Sequence, residues 1–205
     1  MKTTIGFCLI ILVMVFCSKC TSSSQQNSFN DLASEEQWKP DEIMKTLNIQ
    51  EGWSIGDLGA GGGYFTYRFA ESTGKNGKVY AADINPDFLK GIEDTAKEKG
   101  LQNIVTVLST EDDSKFENGS LDLVFIRNTF HHFENKGMYL KKLITKLKED
   151  GSIVIIDYKE GASFWLFGHD VSRDEILSAA KSANLKIENE YDFLENQYFF
   201  VLKKQ

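Results

Sequence analysis

Residues 53–63 read WSIGDLGAGGG, and residues 78–84 read KVYAADI. WSIGDL (53–58) has the length and apolar content of a strand, and it opens into the glycine run Gly59 to Gly63. Glycines there let the backbone turn tightly and approach a ligand more closely than any side chain would permit. YFTYRFAES (64–72) follows with a helical pattern, and KVYAADI is a second strand that ends on Asp83. A carboxylate at that strand end, twenty residues after Gly63, can accept hydrogen bonds from both hydroxyls of a ribose.

Outward from this unit, the alternation continues. Pro86 fits the first turn of a helix that Gly100 stops. IVTVLS (104–109) and LDLVFIR (121–127) read as a third and a fourth strand, and residues 136–148 place Leu140, Leu143, Ile144 and Leu147 at helical intervals. After a turn at Glu149, Asp150 and Gly151, SIVIIDY (152–158) is a fifth strand, nearly all apolar, as a parallel strand covered on both faces should be. Ser172 with Glu175 three residues on forms a capping box for a helix to about Asn184, and LKIENEYDF and QYFFVLKK can close the sheet as an antiparallel pair. Strands alternating with helices predict an α/β fold, a mostly parallel sheet with helices on both faces and its ligand site at the carboxyl ends of the strands.

Two cofactor classes use a glycine turn with a second-strand acid. A dinucleotide fold wants Gly-x-Gly-x-x-Gly, but the third position is Tyr64 counted from Gly59 and Thr66 counted from Gly61. The spacing here is Gly-x-Gly-x-Gly, with Asp57 two residues ahead. In this, Asp57 to Gly63 resembles motif I of the Rossmann-like class I S-adenosylmethionine-dependent methyltransferases, and VYAADI resembles the acidic motif that follows it. WKPDEIMKTLNIQ, ENGSLDLVFIRNTFHHF and LKEDGSIVIIDY look like that family's opening helix, fourth-strand and fifth-strand blocks. The resemblance implies a seven-stranded sheet and S-adenosylmethionine as cofactor. It implies that Gly59, Ala60, Gly61 and Gly63 line the cofactor, that Asp83 beside Ile84 holds the ribose, and that Asp57 orients the methionyl end. The family places an acid near Thr110 for the adenine amine; here the acids are shifted to Glu111, Asp112 and Asp113, so Thr110 and Glu111 are the adenine candidates.

Methyl transfer from a sulfonium is an in-line displacement, and the leaving sulfur needs no proton. A base matters only when the nucleophile starts protonated, a task suited to histidine near neutrality. The fourth strand runs into Arg127-Asn-Thr-Phe-His131-His132-Phe133, where the family meets the methyl group. Asn128 is a candidate cofactor contact, and His131 or His132 a candidate base or substrate ligand. Equally, one histidine could cap the strand end and the other pack under the next helix. The block is not Asn-Pro-Pro-Tyr, which disfavours methylation of nucleobase or amide nitrogens. Adjacent histidines point apart and no thiolate accompanies them, so no metal is expected. Trp38, Phe164, Trp165 and Phe167 could form an aromatic lid or serve in the core or at a membrane surface, and His169 on a nearby loop could close over substrate or be solvated.

A formal charge of −7, or −9 without the two lysines of the first twenty residues, disfavours nucleic acid as a partner and leaves a small-molecule methyl acceptor. Cys8, Cys17 and Cys20 are the only cysteines, so the rest of the chain has neither thiol nucleophile nor disulfide. Lys2 ahead of the apolar run 5–17 has the form of a secretory signal, and the cysteines before a Ser/Gln-rich stretch resemble a bacterial lipoprotein start. The expected organisation is a leader over 1–20, a flexible polar tether over 21–35 and a methyltransferase domain over 36–205, membrane-associated as an exported cell-envelope lipoprotein or through an anchor facing the cytoplasm. The rivals to a small-molecule methyltransferase are an anchored module that binds cofactor without catalysis and, more remotely, an NAD(P)-dependent oxidoreductase.

Overall fold

Strand β1 (Ser54–Leu58) lies at the centre of the sheet in the computed structural model, which describes residues 24–162 and 170–205. Its neighbours are β2 (Lys78–Asp83) and β4 (Leu121–Arg127), both parallel to it. With β3 (Ile104–Leu108), β5 (Leu147–Tyr158), β6 (Leu185–Tyr191) and β7 (Gln197–Lys204), the order is β3-β2-β1-β4-β5-β7-β6. Only β7 runs antiparallel, against both β5 and β6, as the C-terminal sequence predicts. Strand order reverses beside β1, which makes the carboxyl ends of β1, β2 and β4 the mouth of the sheet.

Alternate residues of one strand serve opposite faces. Val124 and Ile126 pack with Leu140 and Leu143 of α5 (Lys136–Ile144) and Ile176 of α6 (Arg173–Ser182). Leu123 and Phe125 pack with Ile43 of α2 (Pro40–Leu47) and with Phe65 and Phe69 of α3 (Tyr64–Thr73). On that second face Ile92 of α4 (Pro86–Lys99) covers Ala81 of β2. The local signals operate as read: Pro86 opens α4, Gly100 ends it in the left-handed region, and the Ser172–Glu175 capping box starts α6.

Two local readings are corrected. Residues 24–34, expected within a flexible tether, are helical (α1) and docked: the Gln26 amide donates to the Phe88 carbonyl at 2.8 Å, Phe29 meets Phe88 edge-on at 5.6 Å, and Ala33 is buried. Composition made the segment look like a linker, yet Gln26 and Phe29 join it to α4 and Ala33 packs into the core cluster of α2 and α3. The helix predicted over 136–148 ends at Ile144, and β5 already begins at Leu147, which pairs with Leu121 across the sheet. That register brings the Gly151 backbone against the Leu121 carbonyl, so sheet pairing overrides the turn chemistry of Glu149-Asp-Gly151. The leader, its cysteines, Phe164, Trp165, Phe167 and His169 lie outside the described residues.

Candidate active site

The glycine turn is fixed from beneath by β2. The backbone N–H groups of Gly59 and Ala60 both donate to the Ala82 carbonyl, at 2.8 and 3.0 Å, and Gly63 N–H donates to Ala60 O at 2.8 Å. Gly59 has φ 80°, and a Cβ there would overlap the side chain of Thr129, just beyond β4. Only glycine therefore lets β1 turn where β4 ends. On the outer side of the turn lies α1, with Phe29 against Gly61 and Asn30 against Gly62.

Three predicted residues converge on this turn. Asp83 is buried; its Oδ2 accepts the Gly61 N–H at 2.9 Å and its Oδ1 the Asn85 N–H at 2.9 Å. Burial raises its carboxyl above the ordinary range, opposed by those N–H donors. Asp57 is buried beneath the turn and accepts the Thr66 hydroxyl at 2.5 Å. Desolvation pushes its carboxyl up to about 7; the Thr66 bond and the charge of Arg127 hold it down, while Asp83 adds to the rise. Ile84, beside Asp83, leaves 59% of its surface exposed, an apolar face unusual at the rim of a polar site.

The other predicted residues are brought close to the turn less directly. Ser109 N–H donates to the Asp83 carbonyl at 3.0 Å, so Thr110 and Glu111 stand in the loop next to the second-strand acid. The Thr110 hydroxyl is turned into its own loop, towards Asp112 Oδ1 at 2.8 Å. Asn128 adopts φ 52° at the end of β4, and its amide group bonds the side chains of Gln197 and Tyr158, at 2.5 and 3.5 Å. Its side chain is thus a brace between β4, β5 and β7.

His131 and His132 occupy a single 3-10 turn, Phe130–His132. His131 Nδ1 lies 2.8 Å from Asp157 Oδ1, and the His131 backbone N–H donates to Oδ2 of the same carboxylate at 2.9 Å. Asp157 is fully buried near the end of β5. A carboxylate on Nδ1 assigns the proton to that nitrogen and the lone pair to Nε2. Adjacent histidines are expected to point apart, but the tight 3-10 turn corrects this: the ring centroids are 4.0 Å apart and His131 Nε2 is 3.1 Å from His132 Nε2, so the two rings form a linked pair.

Sequence reasoning missed Asp157, Arg127, Tyr158 and Gln197. Asp157 carried a signal, a lone acid closing the apolar run SIVIIDY. Arg127 carried the same kind, a charge ending LDLVFIR; Gln197 carried none. Arg127 Nε and Gln197 Oε1 are both buried without a hydrogen-bond partner. Orphaned buried polar atoms at this end of the sheet suit a bound polar molecule better than a closed core. Among the described residues no three metal-type side chains cluster, and no helix is long and apolar enough to cross a membrane.

A protein-family profile described as "Methyltransferase domain" matches residues 49–197. The chain belongs to this methyltransferase-domain family. Membership implies S-adenosylmethionine as the cofactor, and the buried Asp57, the strand-end Asp83 and the orphaned Arg127 Nε fit a ligand with a ribose and charged groups. The chain is 28% identical over 120 residues to the demethylmenaquinone methyltransferase of Anoxybacillus flavithermus, which covers 58% of this chain and 50% of that relative. It is 23% identical to the ubiquinone/menaquinone biosynthesis C-methyltransferase UbiE of Shewanella pealeana over 182 residues, 88% of this chain and 72% of that one. The chain spans about half the length of the first curated relatives it matches. Among solved structures, a SAM-dependent methyltransferase from Aquifex aeolicus superposes with TM-score 0.79 at 21% identity, covering 87% of this methyltransferase domain chain and 96% of the other. The [4+2]-cyclase SpnF superposes with TM-score 0.65 at 11% identity over 80% of this chain and 79% of its own, so this fold also carries other chemistry.

Proposed function

We propose that the protein transfers a methyl group from S-adenosylmethionine to a small hydroxylated aromatic acceptor of the quinol type. The observation that carries the cofactor half is Asp83, whose two oxygens sit at the end of β2 against the Gly61 N–H and the Asn85 N–H. The acceptor half is supported by the relatives named for quinone methylation and by the His131–Asp157 pair at the end of β4.

When bound, the donor supplies an electrophilic methyl on a positively charged sulfur. The chain's first task is to hold the acceptor on the methyl axis, an alignment that supplies roughly 7–11 kcal/mol in well-oriented reactions. A quinol must also lose a proton as its carbon or oxygen attacks. His131 takes that proton through the pair it forms with His132, and Asp157 stabilises the resulting imidazolium while keeping the ring in one orientation. The new bond forms to the methyl carbon as the carbon–sulfur pair returns to sulfur, so the proton on the histidine pair is the only one to dispose of.

The test is turnover of methyl-labelled donor over a panel of quinols, phenols, amines and small acids, read by product mass. A methylated quinol or phenol is the expected result. Tight binding of S-adenosylhomocysteine with turnover of nothing in the panel marks the silent binding module instead. Binding of NAD in place of either adenosyl ligand marks the oxidoreductase. The companion proposal, a lipid anchor at Cys17 or Cys20, rests on the apolar run 5–17 and would keep the domain near lipid-borne acceptors. Intact mass of the membrane fraction tests it, and a soluble, unmodified protein retaining Met1 overturns it.

A further inference from the structure

Arg127 ends β4 on the same face as Phe125, and its guanidinium carbon lies 5.3 Å from the centre of the Phe65 ring. Its Nε is sealed from solvent and meets no acceptor. Two residues on, Thr129 packs against Gly59, so the arginine stands beside the glycine turn. Burial weakens its hold on its proton, opposed by the charges of Asp57 and Asp157 and by Tyr158 and Tyr64. A guanidinium with an unmet buried donor is costly unless a ligand brings the acceptor.

On the neighbouring strand end, buried Asp57 presents a carboxylate whose one side-chain partner is the Thr66 hydroxyl. The turn is therefore flanked by one buried guanidinium and one buried carboxyl group within electrostatic reach of each other. An α-amino acid carries the complementary pair, an ammonium and a carboxylate on one carbon. We infer that Arg127 receives the carboxylate of the methionyl end of the adenosyl cofactor, opposite Asp57, whose place at that end the family resemblance already implies. This rests on the cofactor reading above. It adds a binding residue that the glycine motif does not announce. The same guanidinium chemistry would suit an acid on the acceptor, and the ligands of the test separate the two sources.

Calorimetry with S-adenosylhomocysteine and with 5′-methylthioadenosine, which keeps the nucleoside and thioether but lacks the amino-acid end, decides the matter. Arg127→Met should weaken S-adenosylhomocysteine tenfold or more and leave 5′-methylthioadenosine within twofold; Arg127→Lys, which keeps a charge and protects the fold, should fall between. Unchanged S-adenosylhomocysteine binding in both variants overturns the inference, and assigns the arginine to the acceptor if the acceptor KM rises. Parallel loss of both ligands also overturns it. Wild-type protein that binds neither ligand sinks the cofactor reading itself, and the role of Arg127 with it.

Discussion

The Asp157 carboxylate holds His131 at two points, its backbone N–H at 2.9 Å and its ring Nδ1 at 2.8 Å. One buried acid therefore sets both the position and the tautomer of a ring at the mouth of the sheet. Asp157→Ala should release the ring: nitrogen NMR of His131 should change from one Nδ1-protonated form to a mixture, and turnover should drop about 10²-fold, the lower end of what a positioned proton acceptor contributes. Asp157→Asn, which can still accept from the backbone, should keep the fold. A His131 tautomer unchanged in both variants would sever the pair's proposed role.

Asp83 should be the most sensitive single position for cofactor affinity. Hydrogen bonds to a charged group contribute about 1.5–3 kcal/mol, so Asp83→Ala should weaken S-adenosylhomocysteine roughly ten- to hundredfold. Part of that loss comes through the freed Gly61 N–H, which Asp83 now holds. Calorimetry measures it, and wild-type affinity in the variant would refute the ribose role.

The raised carboxyl of Asp57 makes a signed prediction about pH. Its folded value of about 7 lies above the ordinary 3.8, so between these limits the folded protein binds more protons than the unfolded chain. Stability of the ligand-free protein should therefore fall as pH rises from about 4 to 7, by up to about 1.4 kcal/mol per unit. Asp57→Asn should remove that slope. If the ionised carboxylate meets an ammonium, wild-type affinity for S-adenosylhomocysteine should climb through the same window, with Asp83, Arg127 and Thr66 the groups that face it. Denaturant titrations at several pH values check the first part and calorimetry the second.

Helix α1 meets α4 through Gln26 and Phe29, so removing both side chains should loosen it. Phe29→Ala with Gln26→Ala removes the edge-on contact to Phe88 and the bond to its carbonyl. The double variant should expose residues 24–34 to limited proteolysis while the melting temperature of the rest changes by only a few degrees. Equal protease resistance in variant and wild type would show that other contacts seat the helix.

The amino-acid sequence by itself determined the order of strands and helices, the glycine turn after β1, the acid at the end of β2 and the helix boundaries at Pro86, Gly100 and Ser172. These are written in neighbouring residues, because hydrophobic period, turn chemistry and caps act over a few positions. The seating of 24–34 on α4 and the early start of β5 at Leu147 were decided elsewhere, by Phe88 and by Leu121, tens of residues away. The same holds for the site. Asp157 and Arg127 were visible as lone charges closing apolar runs. That one would grip His131, and the other stand with its Nε unmet within electrostatic reach of Asp57, depended on which strand ends the sheet order brings together. Contacts between distant segments arise only when the chain crosses the sheet and returns, and no local pattern records where it lands.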